Sequence, residues 1–306
     1  MRVVITGSTG TIGLSLARAL HARGDDVVAL SRNRRHAAEI LGETAQVHEW
    51  AEPKQSAPPH EALAGADAVV NLLGEPIAQR WTDATKREIR DSRVRSTRSL
   101  VEALRGLPDD ARPRTLVSQS AVGYYGPRDA QLLDEEAPPG SDFVASVVVD
   151  WEREARSASP PLRVAITRTG VVLSPSGGAL ARMLPFFRLG LGGPIAGGRQ
   201  YVPWIHLDDV IGAILISLDN QGAEGPLNVT APNPVTNREF GRALGRALGR
   251  PAVLPVPGFA LRLLYGEMAE VVTTGQRVLP ARLGRLGYQF RHPQVEPALR
   301  DVLSGG

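Results

Sequence analysis

The stretch most informative about chemistry is TGSTGTIG, in which Gly7, Gly10 and Gly13 recur at intervals of three residues. The strand-forming run RVVIT precedes it, and a helical pattern with apolar Ile12 and Leu16 follows it. Glycines here allow a tight bend, close approach of the backbone to a phosphate, and close packing of helix on strand. Because the start of the helix offers free N–H groups and a positive dipole end, the sequence predicts a cradle for a dinucleotide pyrophosphate.

The end of the second predicted strand indicates which dinucleotide the cradle favours. An acidic residue there would accept a hydrogen bond from a ribose 2′-hydroxyl, whereas an arginine would pair with a 2′-phosphate. The sequence reads LSRNRRH, with Ser31 and Arg32 in the deciding places and no acid beside them. Since a guanidinium suits phosphate through paired, charge-assisted hydrogen bonds, NADP(H) is favoured over NAD(H). The alternative, a solvated basic loop, accounts for Arg34 and Arg35 but less easily for the missing acid.

The glycine turn opens a chain in which predicted strands and helices alternate. Further buried strands are predicted at DVVALS, ADAVVNLLG, RTLVSQSAVGYYG and LRVAITRTGVVL. Helices are predicted from about Asp83 to Leu104 and around Ser146 to Arg156, with a surface connection from Glu52 to Leu63. Because parallel neighbours need a covering crossover, this alternation predicts an α/β fold with a doubly wound, Rossmann-like parallel sheet.

The pattern changes after Ser174, where a glycine-rich stretch leads into shorter strands and helices. YVPWIHLDDVIGAILISL predicts a strand entry followed by an apolar helix, and GPLNV predicts a further short strand. We therefore predict a dinucleotide-binding domain over residues 1–174 that is completed by parts of residues 200–232. Residues 175–306 are predicted to form mainly a smaller, mixed C-terminal substrate lobe.

The composition excludes several classes of chemistry. The chain of 306 residues contains no cysteine, which rules out disulfides, thiolate metal ligands and a cysteine nucleophile. Its net charge is only +3, without a polybasic arm, so no nucleic-acid partner is predicted. No apolar run approaches the roughly 18 residues that a membrane span needs. Because Met1 leads straight into a strand, we expect a cytoplasmic protein without a membrane partner.

The glycine turn and several later motifs together resemble a known family. TGSTGTIG is similar to the T-G-x-T-G-x-I-G turn of extended and atypical short-chain dehydrogenases/reductases. Within that superfamily the chain resembles the "epimerase family" branch of NAD(P)-dependent epimerase/dehydratase-like proteins. The matching motifs, in order over nearly the whole chain, are NLLGEPI, Arg80-Trp81, Ser92-Arg93, SAVGYYG, WIHLDDV and LPARLGRLGYQF. The resemblance implies a dinucleotide-binding sheet with a C-terminal substrate lobe, and an NADP-binding protein of oxidoreductase type.

The resemblance also implies which residues contact the cofactor. Those it places along NADP(H) are Thr9, Gly10, Thr11, Ile12, Ser31, Arg32, Leu72, Leu73, Glu88, Arg93 and Val172. Gly74, in NLLGEPI, and Ser118, on the strand before the YYG turn, are expected beside it. Arg93 has its own physical case, as a cation able to meet a phosphate. The alternative is that Glu88 and Arg93 are simply surface charges of a helix.

Members of this superfamily commonly move the substrate proton through a Tyr-x-x-x-Lys pair on a helix. At this spacing the two side chains share a helix face, and the lysine lowers the pKa of the phenol. With Glu152 aligned to the acid that often follows the motif, the Tyr and Lys places fall on Val144 and Val148. Both lysines of the chain, Lys54 and Lys86, precede the SAVGYYG strand, so no shift of register restores the relay.

A few polar residues near the expected nicotinamide remain candidates for the proton step. Ser120 matches the strand-end hydroxyl of the superfamily, and Tyr125 is a second candidate catalytic residue. An isolated phenol with a pKa of about 10 is a poor base at neutral pH, and the alternative is that Tyr124 and Tyr125 pack a turn. Arg168 ends a predicted strand, where it would contact the cofactor or bond at the sheet edge.

The motif WIHLDDV combines His206 with Asp208 and Asp209, residue types that serve in metal and acid–base sites. Aspartates at the start of an apolar helix are also what an N-cap and its first turn favour. We favour the structural interpretation, and no metal site is predicted.

These residues together predict an NADP(H)-dependent oxidoreductase of the short-chain dehydrogenase/reductase type with an atypical active site. Its substrate would be a small organic molecule held between sheet and lobe; a protonated imine or conjugated acceptor would need little acid from the enzyme. Two alternatives stay open: an epimerase or isomerase that recycles bound cofactor, and a non-catalytic protein that senses NADPH. A homodimer is also considered, because related folds often dimerise through helices.

Overall fold

A parallel β-sheet lies at the centre of the computed structural model, which describes residues 1–304. Its strands are β1 Arg2–Thr6, β2 Asp26–Ser31, β3 Gln46–Glu49, β4 Ala68–Asn71, β5 Thr115–Ala121, β6 Arg163–Thr169 and β7 Gly225–Val229. They are ordered β7-β6-β5-β4-β1-β2-β3, and every neighbouring pair is parallel. The strand order reverses between β1 and β4, the point where open sheets of this kind bind ligands. The predicted doubly wound α/β fold is confirmed.

Helices cover both faces of the sheet. Over residues 1–304 they are α1 Thr11–Ala22, α2 Arg34–Leu41, α3 His60–Leu63, α4 Asp83–Gly106, α5 Phe143–Arg156, α6 Gly178–Arg188, α7 Leu207–Asp219, α8 Asn237–Leu248, α9 Gly258–Tyr265, α10 Ala269–Thr273, α11 Ala281–Arg285 and α12 Val295–Ser304. Val3 and Ile5 of β1 face the core formed with α1, α2 and α7, whereas Val4 faces the core formed with α3 and α4. Among these helices, none combines the length and the apolar character that crossing a membrane requires.

A third apolar cluster holds the smaller C-terminal part together. Leu180 and Phe187 of α6, Phe240 of α8 and Leu299 of α12 pack in one cluster with Trp204. Each of these side chains is at least 95 % buried. Helices from both ends of the C-terminal region therefore share one core.

Short strands connect the C-terminal part to the rest of the chain. β7 lies within the stretch 200–232 that the sequence assigns to the sheet, and it pairs with β6. The short pairs outside the central sheet join residues 132–133 to 277–278, 171–173 to 204–206 and 201–202 to 235–236. The proposed division of the chain near residue 174 stays a prediction.

Some element boundaries differ from those predicted. β3 was not predicted; it is short, lies at the sheet edge, and pairs only with β2. α5 begins at Phe143, before the predicted start, because the Asp142 side chain accepts a hydrogen bond from a first-turn N–H at 3.0 Å. The surface connection 52–63 ends in α3, where Leu63 is buried.

The predicted strand LRVAITRTGVVL is divided at Gly170. A Cβ on this residue would lie 2.0 Å from the carbonyl oxygen of Pro203. The chain therefore leaves the central sheet after Thr169, and residues 171–173 pair with 204–206 instead.

Helix α7 is capped by His206. Its Nδ1 accepts a hydrogen bond from the backbone N–H of Asp208 at 3.1 Å, so Asp208 and Asp209 occupy the first turn and not the cap. A neutral ring that accepts at Nδ1 carries its proton on Nε2, which lies 3.2 Å from the Asp301 carboxylate. Because the ring of His292 stacks on His206 at 3.7 Å, His206, His292 and Asp301 form a cluster of metal-ligand types. The capping bond leaves the ring proton of His206 on Nε2, the nitrogen that faces Asp301 and that a metal ion in this cluster would have to bind.

Replacing His206 by a residue that does not titrate should reduce the loss of stability at low pH. Burial, and secondarily the charge of His292, lower the pKa of His206, so the unfolded chain binds this proton more readily. The stabilisation is therefore complete above about pH 6.5 and is lost as the pH falls through the folded pKa. We expect His206→Asn, which keeps a capping acceptor, to lose less melting temperature than the native protein between about pH 7.5 and pH 5.

The matched control is His36→Asn, because His36 is exposed. This variant should follow the native melting curve across the pH range. An equal acid-induced loss in His206→Asn and the native protein would show that His206 does not contribute to the pH dependence.

Candidate active site

The glycine turn between β1 and α1 is shaped by contacts that exclude larger residues. Gly7 has a φ of +66°, and a Cβ there would lie 2.9 Å from the carbonyl oxygen of Leu72. A Cβ on Gly13 would lie 2.2 Å from the carbonyl oxygen of Gly7, so α1 packs directly on the turn. At Gly10 a Cβ would meet only that same oxygen, at 3.4 Å. The protein therefore leaves the side of the turn at Gly10 open to a ligand.

Helix α1 begins without a side-chain cap. Its N-cap is Gly10, no side chain accepts from the first-turn N–H groups, and the first turn contains no acid. The positive end of the helix dipole and its unpaired donors therefore face the open side of the turn. Thr9, Thr11 and Ile12, which the sequence places along the cofactor, lie at this helix start. Such a terminus is suited to bind the oxygens of a pyrophosphate.

Strand β2 ends in a loop rich in guanidinium groups. Ser31 Oγ accepts a hydrogen bond from the N–H of Asn33 at 3.3 Å, and the Asn33 side chain caps α2. Arg32, Arg34 and Arg35 are exposed, and among residues 1–304 none of their guanidinium groups has a carboxylate within 4.0 Å. These uncommitted cations make the loop attractive to an anion.

One acidic residue borders the same loop. Glu49, at the end of β3, lines a surface depression together with Asn33, Arg34 and Arg35. Its carboxylate is 3.5 Å from the backbone N–H of Arg34, which is at the limit of a hydrogen bond. The sequence analysis missed Glu49 because it did not predict β3.

Buried hydrogen bonds fix the end of β4 beside the glycine turn. Thr6 Oγ1 donates to Asn71 Oδ1 at 2.7 Å and accepts from the N–H of Leu72 at 3.0 Å. The Asn71 amide donates to Thr97 Oγ1 at 3.0 Å, and the Trp151 indole N–H donates to the same oxygen at 3.0 Å. Because every member has a partner, the network locks β1, β4, α4 and α5 in one arrangement.

Arg93 of α4 supplies a cation to the same region. Its guanidinium lies 5.3 Å from the Trp151 ring and donates to the carbonyl of Ile89 at 3.0 Å. A Cβ on Gly74 would lie 3.1 Å from the guanidinium carbon, so glycine leaves room for it. Burial lowers the pKa of Arg93 to about 10, and the charge of Glu75 opposes this shift. Among residues 1–304 Arg93 has no ion-pair partner within 4.0 Å, so it is available to an anionic ligand.

A cleft of about 210 Å³ lies at the carboxyl ends of β4, β5 and β6. Its lining is mostly apolar and comprises Leu72, Leu73, Gly74, Ile77, Trp81, Ile89, Arg93, Gln119, Ser120, Ala121, Phe143, Val144, Val147, Val148, Trp151, Thr169, Gly170 and Val172. Several residues that the sequence assigned to the cofactor therefore meet the candidate catalytic Ser120 in one place. Val144 and Val148, at the positions of the missing relay, also line the cleft.

The Ser120 hydroxyl is held by a buried ion pair. Ser120 Oγ donates to Glu152 Oε1 at 2.7 Å. Arg168 donates to both oxygens of Glu152, at 2.8 and 2.9 Å, and Arg156 donates to one of them at 2.9 Å. Burial raises the pKa of Glu152, but hydrogen bonds and charge from Arg168 outweigh it and hold this pKa below its ordinary value. Glu152 is therefore ionised, and the Ser120 hydroxyl donates its one hydrogen bond to it.

Most of the chain matches one family model. Residues 3–230 match the model of the NAD dependent epimerase/dehydratase family, and residues 256–302 match a domain of unknown function, DUF1731. The chain belongs to the NAD dependent epimerase/dehydratase family. The family resemblance inferred from the sequence is confirmed.

Relatives within the family cover the chain along its whole length. The chloroplastic SDR39U1 homolog of Arabidopsis thaliana, an epimerase family protein, is 43 % identical over 310 residues, covering 99 % of this chain and 87 % of that protein. Human epimerase family protein SDR39U1 is 37 % identical over 309 residues, covering 99 % and 100 %. A crystal structure of human SDR39U1 (isoform 2) with NADPH matches all of both chains, with a TM-score of 0.90 and 36 % identity.

Three residues that the sequence places beside the cofactor or its nicotinamide are buried outside the lining of the cleft. Tyr125 is fully buried, its hydroxyl donates to Asn228 Oδ1 at 2.6 Å, and it accepts from Arg168 at 3.0 Å. Burial raises the pKa of Tyr125 to about 12. Arg168 is 1 % exposed and Ser118 is fully buried, and neither lines the cleft. These side chains are enclosed by protein, which favours the packing alternative for Tyr125 and sheet-edge bonding for Arg168. The proton-donor role of Tyr125 and the cofactor contacts of Ser118 and Arg168 stay predictions.

The two charged residues predicted on α4 have different surroundings. Glu88 forms an ion pair with Lys54 at 2.8 Å and does not line the cleft. Arg93 is partly buried at the cleft, so the alternative of a surface helix charge does not describe it. A cofactor contact for Glu88 stays a prediction.

Gln119 and Phe143 are among the cleft-lining residues that were not predicted from the sequence. Gln119 lies between two serines on β5, and its amide carries no motif of its own. Phe143 was missed because α5 was predicted to begin after it. Its ring packs edge-on against Trp81 with centroids 5.2 Å apart, which closes one side of the cleft.

Two alanine substitutions in the glycine turn should separate folding from nucleotide binding. Gly13→Ala should lower the free energy of unfolding by about 1–3 kcal/mol, since its Cβ requires a backbone shift. Gly10→Ala should leave stability nearly unchanged and weaken NADPH binding at least about tenfold by filling the open side of the turn. Denaturant unfolding and NADPH fluorescence titration would measure the two effects.

The control for these variants is Gly284→Ala, because a Cβ there would meet no atom within 4 Å. It should leave both stability and NADPH affinity at native values. Unchanged NADPH affinity in Gly10→Ala would contradict a phosphate position at the open side of the turn.

Tyr125→Phe should act on stability and not on cofactor binding. Removing the hydroxyl leaves the buried Asn228 oxygen and one Arg168 donor without this partner, which should cost about 1–3 kcal/mol in unfolding free energy. NADPH affinity should stay within about twofold of the native value. A large loss of NADPH affinity at native stability would instead place Tyr125 at the ligand.

Proposed function

We propose that this member of the epimerase/dehydratase family is an NADP(H)-dependent oxidoreductase acting on a small organic substrate in the cleft. The observation that carries the proposal is the meeting of Leu72, Arg93 and Ser120 in one apolar cleft at the carboxyl edge of the sheet. Open parallel sheets bind nucleotides at this edge. A substrate that accepts the hydride would therefore lie in an apolar site next to the nucleotide.

Residues of this chain fit the NADP(H) cofactor from one end to the other. The uncapped start of α1 would hold the pyrophosphate, and Arg32 with Ser31 would bind the 2′-phosphate, supported by the other cations of the loop. Leu72, Leu73, Gly74 and Val172 would pack along the nucleotide, and Arg93 would meet a phosphate oxygen. The NADPH in the structure of the human relative supports this choice of cofactor.

The side chains near the expected nicotinamide limit the chemistry. Bound NADPH supplies a hydride. Val144 and Val148 cannot exchange protons, and the hydroxyl proton of Ser120 is donated to the ionised Glu152. Ser120 Oγ therefore faces a substrate as a hydrogen-bond acceptor, which suits a donor such as the N–H of a protonated imine. For a conjugated acceptor, the proton would come from solvent.

The epimerase reading also fits the family and differs in its outcome. An epimerase would return the hydride to the same carbon and would retain its cofactor without net turnover. The absence of titratable side chains other than Arg93 in the cleft lining gives little support to a proton-abstracting route. It is compatible with the sensor alternative, in which NADPH binding alone changes the conformation.

Arg32→Ala should convert the cofactor preference. Loss of charge-assisted hydrogen bonds to the 2′-phosphate should weaken NADPH binding by roughly 10- to 100-fold and leave NADH binding unchanged. Arg105→Ala is the matched control, because Arg105 is exposed at the far end of α4. Fluorescence titration with both nucleotides measures the change, and an equal loss for NADH would contradict the 2′-phosphate contact.

A substrate panel should separate the functions. We expect NADPH oxidation, followed by absorbance, with at least one class among carbonyls, imines and enones, and a loss of about tenfold or more in Ser120→Ala. Binding of NADPH without oxidation across the panel would overturn the oxidoreductase proposal. Interconversion of a substrate with no net cofactor change would identify an epimerase, and a ligand-dependent conformational change without turnover would identify a sensor.

A further inference from the structure

Exposed apolar side chains are concentrated on one part of the molecule. Eleven large apolar residues are exposed in residues 1–304, and nine of them lie between residues 186 and 271. We define the C-terminal apolar face by six of these, which are Phe186, Leu189, Leu191, Phe259, Leu263 and Leu264. Scattered exposed leucines are normal in proteins, but a concentration of this kind marks an interaction surface.

Helix α9 is the most exposed element of this face. Its sequence is GFALRLLY, and none of its residues is buried. Phe259 and Leu263, one turn apart, are each 77 % exposed. Helices in proteins are stabilised mainly by packing of an apolar face, and α9 leaves much of its apolar surface uncovered. Its contacts with the rest of the protein include a hydrogen bond from Arg80 to the Leu263 carbonyl at 3.5 Å.

Backbone hydrogen bonds join the two halves of the face. The N–H of Leu254 donates to Gly192 at 3.2 Å, and the N–H of Val256 donates to Pro194 at 2.9 Å. This ladder begins just after the exposed end of α6 and leads directly into α9. Val253, which is 72 % exposed, lies at the same junction. The exposed end of α6 and the start of α9 are therefore held next to each other by this ladder.

The size of the surface fits a stable protein–protein contact. At their exposed fractions the six residues of the face leave roughly 750 Å² open, close to the 800 Å² or so that each partner buries in a standard interface. The largest apolar patch on a typical monomer is about 300–600 Å². The face therefore supplies the area that one partner needs.

The charges around the face favour a second copy of the chain over a lipid surface. Arg262, the one charged residue of α9, pairs with Glu270 at 3.1 Å, so the middle of the face carries little net charge. Helices that lie on membranes need a polar side rich in lysine and arginine, which α9 lacks. Two copies meeting on the same face bring apolar surface against apolar surface, with Arg188 at the margin.

The surface of α4 and α5 offers no comparable apolar area. Arg98 pairs with Glu154 at 2.7 Å across these helices, and Arg90 forms an ion pair with Asp150. Helix-mediated dimerisation, considered from the sequence, would have to cover these charges. We propose that two copies of the chain associate through the C-terminal apolar face to form a symmetric dimer.

The test compares glutamate substitutions on and off the face. Phe259→Glu with Leu263→Glu should convert a dimer into a monomer, raising the dimer dissociation constant at least about 100-fold, as measured by analytical ultracentrifugation. The control is Leu132→Glu, because Leu132 is an exposed leucine (54 %) outside the face. It should remain dimeric, and every variant should bind NADPH with native affinity.

A second measurement does not depend on disrupting the face. Because the chain contains no cysteine, Leu264→Cys introduces a unique site for a short bis-maleimide cross-linker. We expect cross-linked dimers from Leu264→Cys and none from Leu132→Cys. Either a native protein that stays monomeric up to about 100 µM, or a dimer that survives both glutamates, overturns the proposal. Co-sedimentation of a monomer with phosphatidylglycerol vesicles would also overturn it, in favour of a membrane.

Discussion

The buried pair of Glu152 and Arg168 is the interaction on which the cleft depends. It joins α5 to β6 through two hydrogen bonds between fully buried groups, in a geometry that a guanidinium and a carboxylate share. Removing either partner would leave an uncompensated charge inside the protein, and such a change commonly costs several kcal/mol. The pair therefore fixes where α5, and with it the valine-lined wall of the cleft, stands against the sheet.

Further contacts of the same pair extend to the C-terminal part of the chain. Arg168 donates to the Tyr125 hydroxyl, which in turn donates to Asn228 on β7, and its guanidinium lies 3.4 Å from the ring centroid of Tyr124. Asn228 also donates to the carbonyl of Leu279 in the C-terminal part at 3.0 Å. These contacts favour the alternative that Tyr124 and Tyr125 pack a turn. Hydrogen bonds thus continue from the ion pair between α5 and β6 to Leu279 in the C-terminal part of the chain.

The same constraint determines the chemical character of the cleft. The Ser120 hydroxyl donates its hydrogen bond to the ionised Glu152. Ser120, the first candidate for a proton donor, is therefore left with only acceptor capacity. Valines stand where a phenol and an ammonium would otherwise act, and Arg93 is the charged group at the cleft wall. On the proposed function, such a cleft would bind and orient the nicotinamide and an apolar substrate, and the proton would come from the substrate or from water.

Sequence reasoning reached the fold because the relevant signals are local. The glycine spacing, the buried strand runs and the helical patterns each involve neighbouring residues, and they correctly indicated β1, α1, β2 and the parallel sheet. Strand β3 and the first turn of α5 were not predicted, because pairing at a sheet edge and capping by an aspartate depend on contacts that periodicity does not reveal. Gly170 ends β6 for a similar reason, since the oxygen that forbids a side chain there belongs to Pro203.

The sequence by itself determined the α/β class, the glycine cradle, the basic loop after β2 and the loss of the Tyr-Lys relay. These follow from residue type and spacing along the chain. Only the tertiary structure decided that Tyr125 and Arg168 are enclosed, that Ser120 donates to Glu152, and that α9 leaves its apolar residues uncovered. Such facts depend on which distant residues surround a side chain, and burial and hydrogen-bond partners are set by packing across the sheet and lobe and not by the local pattern.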